Sequence, residues 1–122
     1  MPISEEKILE SGELARELVD AIASRKGVDI IMLDVRPVSL LADYFIICSG
    51  DTERQVKAIV DEIEERADKS GFRALQIEGT PASGWVIVDY GSIIAHIFMP
   101  VQRDYYQLER LWSDAPLVVR MQ

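Results

Sequence analysis

The chain has 122 residues, 48% of them hydrophobic and 28% charged, with a formal net charge of −8. This describes one domain large enough for a core, with no apolar run of membrane-spanning length and no signal-peptide pattern. It also carries too little basic charge for nucleic acid to be its main contact, and its single cysteine, Cys48, excludes an internal disulfide.

Residues 1–10 read as a flexible leader. A first helix is expected over residues 11–26, capped by Ser11 and ended by Gly27, with Leu14, Leu18, Val19, Ile22 and Ala23 forming its apolar stripe. A strand follows over residues 30–35, broken by Pro37, and a second over residues 44–48. Cys48 lies in that apolar run and reads as a buried, inert thiol. Thr52 and Gln55 form a capping box at the start of a second helix, whose stripe is Val56, Ile59, Val60, Ile63 and Ala67. Glu53/Lys57, Glu62/Arg66 and Glu65/Lys69 stand on its outer face in the favourable i,i+4 order. Gly71 stops this helix, and residues 72–77 read as a third strand.

The segment from Gly84 to Phe98 reads as a β-hairpin closed at Gly91-Ser92, a Gly-X pair suited to a type II′ turn. That closure pairs Trp85 with Phe98, Val86 with Ile97, Ile87 with His96, Val88 with Ala95 and Asp89 with Ile94. Strand alternation then puts Val86, Val88, Tyr90, Ile93, Ala95 and Ile97 on a core face. The opposite face carries Trp85, Ile87, Asp89, Ile94, His96 and Phe98. This mixture of aromatic, aliphatic and ionisable side chains suits a surface that meets a partner. Pro100 ends the last strand, Asp104 caps a short helix with Leu108, Leu111 and Trp112 inward, and Pro116 closes it. Residues 117–122 read as a tail.

The order α-β-β-α-β-β-β-α implies a single α/β domain over residues 11–116, with a mixed five-stranded sheet. The strand–helix–strand unit around the second helix predicts a parallel pair. The two long helices should lie on one face of the sheet, leaving the other partly bare.

Candidate chemistry is sparse. Ser49-Gly50 precedes a helix start, a geometry able to hold an anion, but a tight strand-to-helix turn needs the same glycine. His96 is the sole histidine, so no histidine-rich metal set exists, and no nucleophile elbow is present. Asp89 and His96 are diagonal neighbours in the hairpin. They form either the remnant of a catalytic pair or a satisfied polar pair within a binding face. Arg103 and one of Tyr105 and Tyr106 are candidates for partner contact. The acidic balance either serves solubility or attracts a basic protein partner.

These residues form a familiar pattern. Ala42-Asp43-Tyr44-Phe45-Ile46-Ile47-Cys48-Ser49-Gly50 is followed by Thr52 and Gln55-Val56, then by Glu78-Gly79 and Gly84-Trp85-Val86 with Asp89 and Gly91. His96-Ile97-Phe98, Arg103, Tyr106, Leu108-Glu109 and Leu111-Trp112 complete it. Over residues 11–113 the chain resembles the ribosomal silencing factor family, RsfS, once called Iojap. The resemblance implies a nucleotidyltransferase-like α/β fold. It further implies binding to large-subunit ribosomal protein number fourteen, where a bound factor blocks small-subunit joining and represses translation under nutrient limitation. It also implies homodimers in isolation; the lack of a membrane-spanning run and of a signal-peptide pattern separately points to the cytoplasm, and no cofactor, metal or membrane partner is expected. Ser92 departs from the family's usual acidic residue, and Ala95 from its usual β-branched one.

On this reading the partner-binding residues are Trp85, Asp89, His96, Phe98, Ile94 and Arg103. The fold analogy raises one rival, an active nucleotidyltransferase, which needs carboxylates converging on divalent ions. Asp51 and Glu53 stand at a helix start, where an i,i+2 pair does not converge, so only Asp89 is suitably placed and no catalytic residue is expected. A small homodimeric regulatory or ligand-sensing domain is the other alternative.

Overall fold

The computed structural model describes residues 3–122, with side chains described from residue 11 onward. In chain order the elements are α1 (Ile3–Ser24), β1 (Val28–Asp34), β2 (Tyr44–Ser49), α2 (Glu53–Lys69) and β3 (Gln76–Glu78). A 3-10 turn at Pro81–Ser83 leads to β4 (Trp85–Asp89) and β5 (Ile93–Phe98). Two short helices, α3 (Pro100–Tyr106) and α4 (Leu108–Leu111), precede β6 (Leu117–Met121).

α1 starts at Ile3, so Ser11 is a buried interior residue and not the cap. The leader expected over residues 1–10 falls where side chains are not described. At the other end Gly27 N–H donates to the Ile22 carbonyl and Lys26 N–H to that of Ala23, with Lys26 at φ 65°. This is a Schellman ending in which Lys26, not Gly27, takes the left-handed position. Leu14, Leu18, Val19 and Ile22 are buried on one stripe of the helix.

α2 follows its sequence pattern closely. Thr52 caps it, with Oγ1 accepting from Gln55 N–H, and Val56, Ile59, Val60, Ile63 and Ala67 are all buried. The reciprocal half of the box is displaced, because Gln55 Oε1 accepts from Asp51 N–H at 2.7 Å. Gln55 Nε2 donates to the Arg25 and Lys26 carbonyls, tying the end of α1 to the start of α2. Glu62/Arg66 and Glu65/Lys69 form as expected, but Lys57 pairs with Asp61 rather than Glu53.

One mixed sheet runs in the order β3-β4-β5-β2-β1-β6. It has six strands, not five: residues 117–121, read as a tail, pair antiparallel with β1. The β-branched run after Pro116 finds a free edge on β1, a pairing between distant segments that local periodicity does not show. The parallel partner of β2 is β5, whereas β3 lies at the far edge against β4. After β2 the chain therefore crosses beyond the next strand position and returns through the hairpin to fill it.

The hairpin register is Trp85↔Phe98, Val86↔Ile97, Ile87↔His96, Val88↔Ala95 and Asp89↔Ile94, as its turn residues predict. Gly91 takes φ +84°, the left-handed side that the turn's first position needs, and within the turn Ser92 N–H donates to the Tyr90 carbonyl at 3.1 Å, a tighter three-residue closure than the expected II′ turn. Val86, Val88, Tyr90, Ile93, Ala95 and Ile97 are buried beneath α1 and α2 in the larger core. The opposite face carries a second, smaller core of Ile31, Leu33, Phe45, Ile47, Phe98, Leu108 and Ala115, with Trp85, Ile94 and Trp112 packed at its border.

Candidate functional site

Two consecutive segments of the chain, the β4–β5 hairpin and the α3–α4 run, build the exposed part of this second face. Pro100 stands at the first turn of α3, so it starts a helix as well as ending a strand, and Asp104 lies inside that helix rather than at its cap. Gln107, at φ 47°, breaks the run into α3 and α4. Leu108 is buried and Trp112 packs edge-on against Phe45 at 4.7 Å. Leu111, expected inward, is 77% exposed because the break at Gln107 rotates α4 away from a continuous helix.

The centre of the face is an aromatic stack. Trp85 stacks on Phe98 on one side and meets the Tyr106 ring on the other, both with centroids 4.8 Å apart. Tyr105 stands edge-on to Tyr106 at 5.0 Å. Phe98 is fully buried and Trp85 half-buried, while Tyr105, Tyr106 and Val101 are exposed. Val101 and Tyr105 are one helical turn apart on α3, and so extend the patch along one stripe. Starting the helix at Asp104 hides this spacing, and Pro100 was the available signal.

His96 lies under the stack and not on its surface. It is 6% exposed, among the rings of Phe45, Trp85 and Phe98. Trp85 Nε1 donates to His96 Nδ1 at 3.2 Å, so neutral His96 carries its proton on Nε2, which is buried without a partner among the described residues. Burial pushes the imidazole down to about 4, with the Asp89 charge pulling weakly the other way. Asp89 itself is committed to the turn, where its Oδ1 accepts from Gly91 N–H at 2.7 Å. Ile94 is half-buried at the border of the smaller core.

Of the six expected contact residues, Trp85, Asp89 and Ile94 are thus partly accessible. His96 and Phe98 act from beneath. Arg103 is also drawn inward, with its side chain 14% exposed. Its Nη1 donates to Ser49 Oγ at 2.9 Å and its Nε to Glu109.

The same residues settle the reading of Ser49-Gly50. α2 leaves the end of β2 toward the helical face, and α3 leaves the end of β5 toward the other. This is the switch-point geometry at which open sheets bind ligands. The crevice there, about 390 Å³, is lined by Asp29, Asp51, Asp104 and Glu109 against Arg103 and Arg110. Its carboxylates outnumber its guanidiniums, and Arg103 is already paired, so the crevice is not built for an anion. Cys48, fully buried, has its thiol pushed up to about 12 by desolvation and is inert. No helix among the described residues is long and apolar enough to cross a membrane.

Comparison with known proteins gives a consistent answer. The family model described as ribosomal silencing factor during starvation matches residues 8–122. A ribosomal silencing factor of Bacillus subtilis is 44% identical over 97 residues, covering 80% of this chain and 82% of that protein. The mouse protein named mitochondrial assembly of ribosomal large subunit protein 1 is 33% identical over 99 residues, covering 79% of this chain and 43% of its own length. A crystal structure of a Chromobacterium violaceum protein superposes with a TM-score of 0.81 at 34% identity, covering 84% of this chain and 85% of that one.

Proposed function

The chain belongs to the ribosomal silencing factor family, and from that premise we propose that it binds the large ribosomal subunit through ribosomal protein number fourteen. Bound there, it sterically blocks joining of the small subunit and represses translation under nutrient limitation. The contact surface is the aromatic patch of Trp85, Tyr106 and Tyr105, bordered by Val101, Ile94 and Asp89. When free, the chain associates with a second copy of itself. The role is regulatory, exercised in the cytoplasm, and needs no cofactor.

The observation that carries this reading is the half-buried Trp85 held between Phe98 and Tyr106. Partly exposed aromatics on a rigid sheet lose little conformational entropy on binding, and Trp and Tyr dominate interface energetics. The name of the mouse relative supports the large subunit as partner.

Co-sedimentation with purified subunits tests it, alongside a light-scattering assay of subunit joining and a size measurement of the free chain. The protein should travel with large subunits, ignore small ones and slow their joining, and purified protein number fourteen should compete. Equal binding to both subunits, or to neither, overturns the reading. Steady nucleotide turnover with magnesium, lost on Asp89→Asn, would favour the enzyme alternative.

A further inference from the structure

The helical face of the sheet is wider than its helices. Strands lie about 4.8 Å apart and a helix with its side chains is about 10 Å across, so two helices cover about four strands. α1 lies over β1 and β2, and α2 over β4 and β5, which leaves the edge strand β3 uncovered. Ile77 on β3 pairs with Val88, whose side chain is fully buried under the helices. Ile77 therefore faces the same way, but beyond the reach of α2, and it is exposed. Leu75 beside it is 75% exposed.

A groove of about 690 Å³ runs along this uncovered strip. On the sheet side Phe72, Leu75, Ile77 and Tyr90 supply apolar surface, with Arg73 and Gln76 among them, and Glu64, Glu65 and Asp68 of α2 make the other wall acidic. Glu64 has no ion pair among the described residues, and Asp68 has only a 3.9 Å approach from the exposed Arg73. Burial raises the Tyr90 phenol to about 12, and the charges of Glu64 and Asp68, which line the same groove, push it the same way.

We propose that this groove is a second docking site, which takes one basic amphipathic helix of a partner protein in the position a third layer helix would occupy. The apolar stripe of the incoming helix covers Phe72, Leu75 and Ile77, and its Lys or Arg residues face Glu64, Glu65 and Asp68. Charge complementarity selects this occupant: three carboxylates, Glu64, Glu65 and Asp68, stand against the one guanidinium of Arg73 along the groove, so a segment presenting Lys or Arg is favoured. The groove lies on the opposite side of the sheet from Trp85, so both surfaces can be filled at once.

The test is amide NMR titration of the full chain with a synthetic Leu–Lys amphipathic helix of about 14 residues. Its controls are a Leu–Glu twin and a Leu–Lys peptide carrying a central proline. Shifts should map to residues 64–77, leave the Trp85 indole unmoved and saturate with one peptide per chain. Glu64→Lys with Asp68→Lys should weaken binding about tenfold or more, as should Ile77→Ser, which keeps the charge. Trp85→Ala should leave this binding unchanged, so failure here is separable from failure of the ribosomal reading. Equal binding of the proline peptide, insensitivity to Ile77→Ser, or concentration-dependent shifts at residues 64–77 without peptide would each overturn the proposal.

Discussion

Trp85 and His96 are joined by a hydrogen bond from indole Nε1 to imidazole Nδ1, 3.2 Å long, inside the aromatic face. The bond fixes which edge of Trp85 turns inward and which nitrogen of His96 holds the proton. It makes the histidine a support for the tryptophan rather than a neighbour competing for the same contact.

Acid should therefore weaken the fold through His96. Its ordinary value is 6.5 and its folded value about 4, so in this window the unfolded chain binds more protons than the folded one. Stability is complete above about pH 6.5 and falls as pH drops toward 4, by about 3 kcal/mol in all. Urea melts at a series of pH values should show this slope, and His96→Gln should flatten it. Asp34 and Glu62, held low by Arg36 and by Arg66 with Arg25, add a further loss below about pH 4.5. That lower limb should persist in the variant. An unchanged slope between pH 4.5 and 6.5 would show that His96 is not the titrating group.

Phe98 and Trp85 touch, yet they should respond to truncation in different ways. Phe98 is fully buried, so Phe98→Ala should cost roughly 3–5 kcal/mol of stability. Val88→Ala in the other core should cost about 1–3 kcal/mol and leave large-subunit affinity nearly intact. Trp85→Ala and Tyr106→Ala should weaken that affinity, with Trp85 contributing about 2 kcal/mol, roughly thirtyfold, while the free protein stays folded. Melting temperature and affinity measured on the same four variants decide the matter. A folded Phe98→Ala protein with intact stability, or full affinity in Trp85→Ala, would reverse the assignment.

The contrast between these residues also marks what the sequence discloses. The α2 stripe, the Thr52 cap and the hairpin register are encoded within a few residues of themselves, through helical period, a capping side chain and a Gly-X turn. Each is legible without the rest of the chain. The burial of His96 and Phe98 is not, because part of their cover comes from Phe45 and from the segment holding Leu108 and Trp112. Alternation assigned them the correct face but not its depth. β6 escaped notice for the same reason: its partner β1 lies at the opposite end of the chain. Pro100 is a different case, since a proline both ends a strand and opens a helix, and the second role brings Val101, Tyr105 and Tyr106 to the patch.

Net charge should act on the rate of encounter. A chain carrying −8 that meets a basic ribosomal protein is steered by long-range attraction, which salt screens over about 10 Å at 0.1 M. Raising ionic strength from about 0.05 to 0.5 M should slow association by about tenfold and alter dissociation much less. Stopped-flow mixing with large subunits, read through a fluorescent label on the chain, measures both rates. An association rate indifferent to salt would assign the acidic surface to solubility alone.

Arg103 offers the last prediction, because its expected role as a contact and its observed role as a brace give opposite outcomes. Its guanidinium joins Ser49, at the end of β2, to Glu109 on α4, with distances of 2.9 Å to Ser49 Oγ and 3.1 Å to the carboxylate. Ser49 is buried, so truncation leaves a hydroxyl without its donor and a half-buried carboxylate without its charge partner. Arg103→Ala should thus lower stability by about 1–3 kcal/mol and loosen α4. Lysine should restore little, since a single ammonium cannot span both groups as the planar fork does. Large-subunit affinity should fall only as far as α3 carries Tyr106 out of register with Trp85. Amide exchange separates the two roles. Faster exchange across residues 100–111 in Arg103→Ala marks the brace, whereas unchanged exchange with a large loss of affinity would mark a direct contact.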